Sequence, residues 1–395
     1  MSKKNVKKSA SPADWLRENK WTILILIAAA IIFIVFRSIA TDDGEQQRGD
    51  EYAEYEKASV TRILTDSSES SEAAEGLKRG EQQLIVKVTS GQYEGEELLA
   101  YNYVNPLFGV PVEVGSNVVL IISTYADGSH TATVYEYNRE LPLAIVVALF
   151  LIVTVLVGGK TGAKSLIGLI LTLACIFLIL IPLLLKGYPT LLTIFIMCAY
   201  ITLVCFTILG GLRKKTVCAM LGTICGIAIA LLFGLAAQSI LQIDGYRSNE
   251  AEALLQLRQS GTLIGIRHLL VGGIVISALG AVMDVAMSIS SALSEIHTVD
   301  PTLGKKELFR SGMNIGRDMV GTMTNTLILA FIGSSLALVI YLYSLGLEVH
   351  QLYSSAYVSI EVVSGIASSI GVILSVPITA LISSVILADG KKQAR

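Results

Sequence analysis

The run "LLVGGIVISALGAVMDVAMSISSALSEI", residues 269–296, decides how this chain is read. It is apolar or small almost throughout, yet it places an aspartate, Asp284, well inside. A helix of this kind is buried on every side, either in a large core or in a bilayer, where a span needs about 20 such residues. The rest of the chain chooses between the two. Of its 395 residues, 53% are hydrophobic and only 16% charged. Soluble domains carry roughly 25% charged residues. Mean hydropathy is +0.64, and apolar runs recur along the chain. These features describe a polytopic membrane protein.

Eight spans are expected, at residues 21–39, 142–158, 165–185, 189–211, 216–238, 264–290, 319–345 and 357–388. Each must be helical, because acyl chains offer a bare peptide group no partner. Pro182 and Pro377 fall inside two runs and predict kinks or packed breaks. The first span follows a basic start, "MSKKNVKK", but has no small-residue cleavage site, so it reads as an uncleaved anchor.

Lysine and arginine fix the orientation. Lys160, Lys164, Arg213, Lys214, Lys215, Lys305, Lys306, Arg310 and Arg317 share one side with the basic start and with Lys391, Lys392 and Arg395. The short loops of the other side hold Lys186, Arg247 and Arg258. Both termini are therefore expected in the cytoplasm, with residues 41–140 extracytoplasmic and membrane lipid as the surrounding partner. The organisation expected is a basic segment (1–20), an anchor (21–39), an outer domain (41–140), a seven-helix domain (141–388) and a basic tail (389–395).

The outer domain opens with an acidic tether, "TDDGEQQRGDEYAEYE" (41–56). Five strand-like runs follow: "ASVTRILT", "QQLIVKVTS", "GEELLAYN", "SNVVLIISTY" and, after an Asp127-Gly128 turn, "HTATVYEYN". In the second, Leu84, Val86 and Val88 share one face. The polar "DSSESSEAAEG" separates the first two. Five short strands suggest a small OB-like all-β barrel between helices 1 and 2, with a lipoyl-like sandwich as the competing shape. Basic–aromatic interleaving is missing and net charge is -2, so no nucleic-acid partner is expected.

Other motifs carry little. "GGKTGAKS" (158–165) ends like a phosphate-binding loop, but Thr154 stands where that pattern needs glycine and no strand precedes it. It reads as a tight inner turn whose lysines face anionic lipid. The four histidines share no ligand spacing, and the five cysteines sit in or beside apolar runs. No metal, disulfide or cofactor is expected. No nucleophile–base pair is visible, so enzymatic activity is not expected either.

The intramembrane polar groups carry the functional argument. Asp284, Ser288 and Ser291 fall at i, i+4 and i+7 on the sixth span; Asp318, Thr322 and Asn325 repeat that spacing on the seventh, with Arg317 beside them at the cytoplasmic edge. Asp284 lies about six residues from the expected inner end and Asn325 seven beyond Asp318, so both are ~9–10 Å deep at 1.5 Å per residue. Facing stripes would make a polar seam open to the cytoplasm, with Asp284, Asn325, Thr322 and Ser288 as its ligands. In the outer leaflet Glu361 and Arg267 are expected to pair as a gate. Small residues on the sixth and eighth spans predict one tight bundle of spans six, seven and eight. The competing role for the carboxylate is a packing device, but ionisable groups within membranes are functional by default.

The stretches "GAVMDVAMSISSALSEI", "GRDMVGTMTNTLILAFIGSSLAL" and "IASSIGVILSVPITALIS" resemble the YibE/F family of bacterial membrane proteins, across about residues 80–388. The anchor and outer domain resemble its YibE-type members. The resemblance implies a multipass plasma-membrane protein, often paired with a shorter YibF-type relative, and carries no catalytic residues. A second likeness, on Gly280-x-x-x-Asp284, the loop "TLGKKELFRSGMNIGRD" and a Thr/Asn-bearing span, is to RND-type and Sec accessory exporters. It implies proton coupling at Asp284 alone. Two functions are expected from these readings. One is an ion- or proton-coupled secondary transporter or export accessory. The other is a non-transporting scaffold whose outer domain recruits an envelope protein or a YibF-type partner. A homo-oligomer is compatible with both.

Overall fold

The computed structural model describes residues 20–41, 53–70, 77–105, 109–125, 130–246, 251–259 and 261–388. The basic start, the Asp127-Gly128 turn, Arg247 and the basic tail lie outside them. The chain divides into two compact units, Asp43–Leu156 and a second made of Met1–Asp42 with Val157–Arg395.

The first unit holds a closed barrel. Strand β1 (Ala53–Asp66) is followed by the short β2 (Glu69–Ser70), then β3 (Lys78–Val88), β4 (Glu97–Val104), β5 (Asn117–Thr124) and β6 (His130–Tyr137). The order is β1-β5-β6-β4-β3, and β3 returns to β1. All pairings are antiparallel except β4 with β6. β1 serves both neighbours because it bends: its first half pairs with β5, its second with β3, with register shifts between Val60 and Arg62 and between Ile63 and Thr65. Bulges of this kind curve a strand. The end of the acidic segment is therefore not a tether. Residues 53–56 are the opening of β1, paired with residues 120–123.

Period-two alternation fills the interior. Leu84, Val86 and Val88 are buried together with Val60, Ala100, Leu120, Ile122 and Val134. Two amides join them. Gln82 donates to Asp66 Oδ2 (2.9 Å) and to the Val112 carbonyl (3.2 Å), and its own oxygen accepts from Val112 N (3.1 Å) and Asn102 Nδ2 (2.8 Å). Asn102 also donates to Val110 O at 2.7 Å. These bonds seat the segment after β4 across one end of the barrel. Hydrogen bonds from Ser68 and Gln82 hold the Asp66 carboxyl at about 2, below its ordinary 3.8.

In the second unit, α1 (Lys20–Thr41) packs against the membrane bundle. The expected second and third spans are two helices that meet at a kink at Gly159 and are together labelled α2 (Glu140–Cys175), whose start lies in the first unit; a π turn (Ile176–Leu180) and α3 (Ile181–Leu185) follow. Only Gly159 departs from helical geometry, at φ 54 and ψ -137. The tight turn expected at 158–165 falls at that kink, with helix on both sides of it. The bundle continues with α4 (Thr190–Gly210), α5 (Lys214–Ile240), a short outer α6 (Ala251–Gln259), α7 (Leu269–Val299), α8 (Lys305–Ser334), α9 (Leu336–Ser344), α10 (Val349–Ser354) and α11 (Ala356–Ala388). Among the described residues five helices are long and apolar enough to cross a membrane, six when the bent pair α8–α9 counts as one span. Two boundaries differ from expectation. α7 continues nine residues past Ser290, and α8 begins at Lys305, because Asp300 accepts from Thr302 N and Glu307 accepts from Gly304 N at 2.8 Å, which stop and restart the chain beyond the apolar layer.

α11 packs closely against α5, α7 and α8. Close approach comes from small residues. A Cβ on Gly222 would meet Thr379 Oγ1 at 2.1 Å, and one on Gly226 would meet Val282 Cγ1 at 2.6 Å and Ser375 Cβ at 2.9 Å. Together with Ala230 and Gly234 these form a four-residue-spaced stripe on α5. On α8, Gly312 and Gly316 sit the same way against Ala380 and Val376. The expected bundle of three helices therefore has a fourth member, α5.

Candidate functional site

Asp284 lies on α7, whose opposite face is buried. Val282 meets Gly226 of α5; Val285 and Ile289 join the cluster with Val372 and Val376 of α11. At 100° per residue Asp284 is turned about 160° away from Val282. It is exposed, as is Ser288 below it, while Ser291 is half-buried. Gly273 and Gly280 continue the stripe upward, and an added Cβ on either would meet nothing within 4 Å. On one flank Ala286, Met283 and Met287 cluster with Phe206 of α4. Ile289 and Leu293, which reach Gly316 and Gly312 of α8, lie on the buried face with Val282, about 140–180° from Asp284. Asp284 thus stands on an uncovered face of α7, and among the described residues its carboxylate has no hydrogen-bond or ion-pair partner.

The second stripe is uncovered as well. Arg317, Asp318, Thr322 and Asn325 are all exposed on α8. Thr322 donates back to its own helix, to Met319 O at 3.0 Å. The structure does not join the stripes into the expected seam: no hydrogen bond links Asp284 or Ser288 to Thr322 or Asn325 among the described residues. The reason is the rotation of α8. Gly312 and Gly316 must face α11 to permit close contact, and Asn325, turned about 180° from Gly316, then points outward.

Glu361 and Arg267 are also apart from one another. Arg267 is exposed beside a cavity of about 380 Å³ that Gln238, Gln242, Asp244 and His268 share. Glu361 lines another cavity, of about 360 Å³, between α11 and the bend joining α8 to α9. No ion pair forms between them. Hydroxyl groups tie α7 to α11 instead: exposed Ser277 pairs with Ser368, and buried Ser290 with buried Ser383, each at 3.2 Å. The sequence signal for α5 is four small residues spaced by four, Gly222, Gly226, Ala230 and Gly234.

A family model described as YibE/F-like protein matches residues 146–389. The chain belongs to the YibE/F family. The match covers more than half the chain and takes in every membrane helix from α4 onward; the barrel lies outside it. No curated protein and no solved structure matches the chain. In this YibE/F protein, Asp284, both polar stripes and the Glu361 cavity all fall inside the matched region.

Proposed function

We propose that this YibE/F protein is an ion-coupled membrane transporter or export accessory, in which Asp284 takes up and releases a proton or small cation. The observation that carries the reading is a carboxylate within an apolar span, exposed on one helix face and without a partner among the described residues. Facing lipid, it would cost roughly 2.5–3.5 kcal/mol even on the lenient insertion scale. A site that exchanges an ion, covered by a second copy or a YibF-type relative, offsets that cost. Ser288 and Ser291 supply neighbouring oxygens.

Several finer features fit the reading. At 1.5 Å per residue, the 46 residues of Glu140–Leu185 would extend ~69 Å unbroken, against a hydrocarbon core of ~30 Å. Counting one span on each side of Gly159 gives eight, an even number that keeps both termini in the cytoplasm of a bacterial cell and the barrel outside. The strand order, with its one parallel pairing, supports an OB-type barrel. That barrel is a docking element for an envelope partner.

A scaffold without transport is the second reading, favoured by the exposure of both polar stripes, which a binding partner would cover. Asp284→Asn separates the two. It preserves shape and removes charge. Reconstituted in liposomes, a coupled transporter loses gradient-driven proton or cation flux in this variant while remaining folded. Undiminished flux in the variant, or none in the wild type, removes the coupling role.

A further inference from the structure

The cavity beside Glu361 has a defined origin. α8 follows α11 closely as far as Phe331, whose Cδ2 would lie 3.6 Å from a Cβ on Gly365. The helix then bends by 62° between Ser334 and Leu336. Ser334 donates to the Phe331 carbonyl at 2.8 Å, and a hydroxyl turned back in this way is an established cause of helix bending. α9 leaves the α11 surface, and none of its residues is buried. A wedge of about 360 Å³ remains.

Its walls are almost wholly apolar. Phe331, Ile332 and Leu338 line one side; Val362 and Ile366 line the other. Val358, Glu361, Val362 and Gly365 recur on α11 at helical spacing, so one face of that helix looks into the space. Only Ser335 and Glu361 bring polar side chains. Among the described residues, Glu361 has neither a hydrogen bond nor a cationic neighbour. Arg267, the expected partner, lines the other cavity.

A pocket of this size lined by hydrophobic groups, with one or two oriented polar groups, is the usual form of a small-molecule site. A neutral apolar occupant would leave the carboxylate unpaired, and an anion would be repelled. We infer that the wedge between α8–α9 and α11 binds a lipophilic cation, its apolar body against Phe331 and the aliphatic walls and its charge against Glu361. The site is separate from Asp284 and does not depend on the coupling role assigned there.

The test uses the full chain in nanodiscs of neutral lipid, with empty nanodiscs subtracted. Equilibrium dialysis with radiolabelled tetraphenylphosphonium should show saturable binding by the wild type. Tetraphenylborate, matched in size and opposite in charge, should not bind saturably. Glu361→Gln should weaken cation binding at least tenfold. Leu338→Trp fills the wedge from α9 without touching the buried bundle, and should abolish binding with Glu361 intact. It decides the matter should Glu361→Gln fail to elute as a folded species. No saturable binding by the wild type, equal binding of the borate, or unchanged affinity in the folded variants would each overturn the inference.

Discussion

Arg37 reaches from α1 to the carbonyl oxygen of Leu178, with Nη1 donating at 3.1 Å. Leu178 stands four residues before Pro182, whose ring nitrogen has no hydrogen to offer that oxygen. The proline expected to break a span does so through a π turn, Ile176–Leu180, and part of the backbone it disrupts is satisfied from a neighbouring helix. Two further bonds reach carbonyls of α1, from Tyr200 to Ala29 at 2.8 Å and from Lys186 to Ile39 at 2.7 Å. The first helix is therefore docked on the bundle.

Arg37→Ala should lower stability by about 1–2 kcal/mol, a charged donor lost from an exposed carbonyl bond. Thermal unfolding in detergent reads it, and Tyr200→Phe should cost about 1 kcal/mol or less. If neither variant moves the midpoint, α1 is held by the linker alone.

The α5 stripe predicts a contrast between glycines. Gly226→Val places atoms where Val282 and Ser375 already lie, and overpacking there should cost about 1–3 kcal/mol. Gly280→Val has open space and should leave the isolated protein as stable as the wild type. Equal destabilisation by both, measured in the same detergent, would contradict the packing described.

That same Gly280→Val variant tests the uncovered face. With a partner helix seated over Asp284, the added side chain should block association or flux without unfolding the chain. Cysteine crosslinking from Ser288→Cys, compared in the two backgrounds, reads the loss.

In the barrel, Gln82→Leu strands Asn102, Asp66 and the Val112 amide together. A cost of about 1–3 kcal/mol is expected from buried Asn102 and the Val112 amide, since exposed Asp66 can turn to water. Faster hydrogen exchange at residues 110–112 in the full chain would report it, and unchanged protection would show that the amides are not what closes the barrel.

Asp66 sets an acid limit on that region. Its carboxyl titrates near 2 in the folded chain and near 3.8 unfolded. The stabilisation is present above about pH 4 and is lost as pH falls toward 2. Because Asp66 is largely exposed, solvent screening keeps the effect under about 1 kcal/mol. Asp66→Asn should flatten the pH dependence of exchange in β1 and β3 between pH 4 and 2.

Much of this architecture was legible in the residues alone. The resemblance of three quoted stretches marked the family. Apolar run length is a property of a segment against lipid or water, so it marked the membrane helices without any knowledge of contacts. Leu84, Val86 and Val88 announced a buried strand face for the same reason. The polar stripes were also correctly placed on single helix faces, since i, i+4 and i+7 share a face in any helix.

What the residues could not announce is which way each face turns. The rotation of α8 is set by Gly312 and Gly316 meeting Ala380 and Val376, and that of α7 by Val282 against Gly226, contacts between segments far apart in the chain. The bend at Ser335, which opens the Glu361 wedge, and the separation of Glu361 from Arg267 follow from the same packing. Local chemistry selects helix, depth and polarity. Which polar groups meet is decided by close contacts among small residues on other helices, and these exist only once the bundle has assembled.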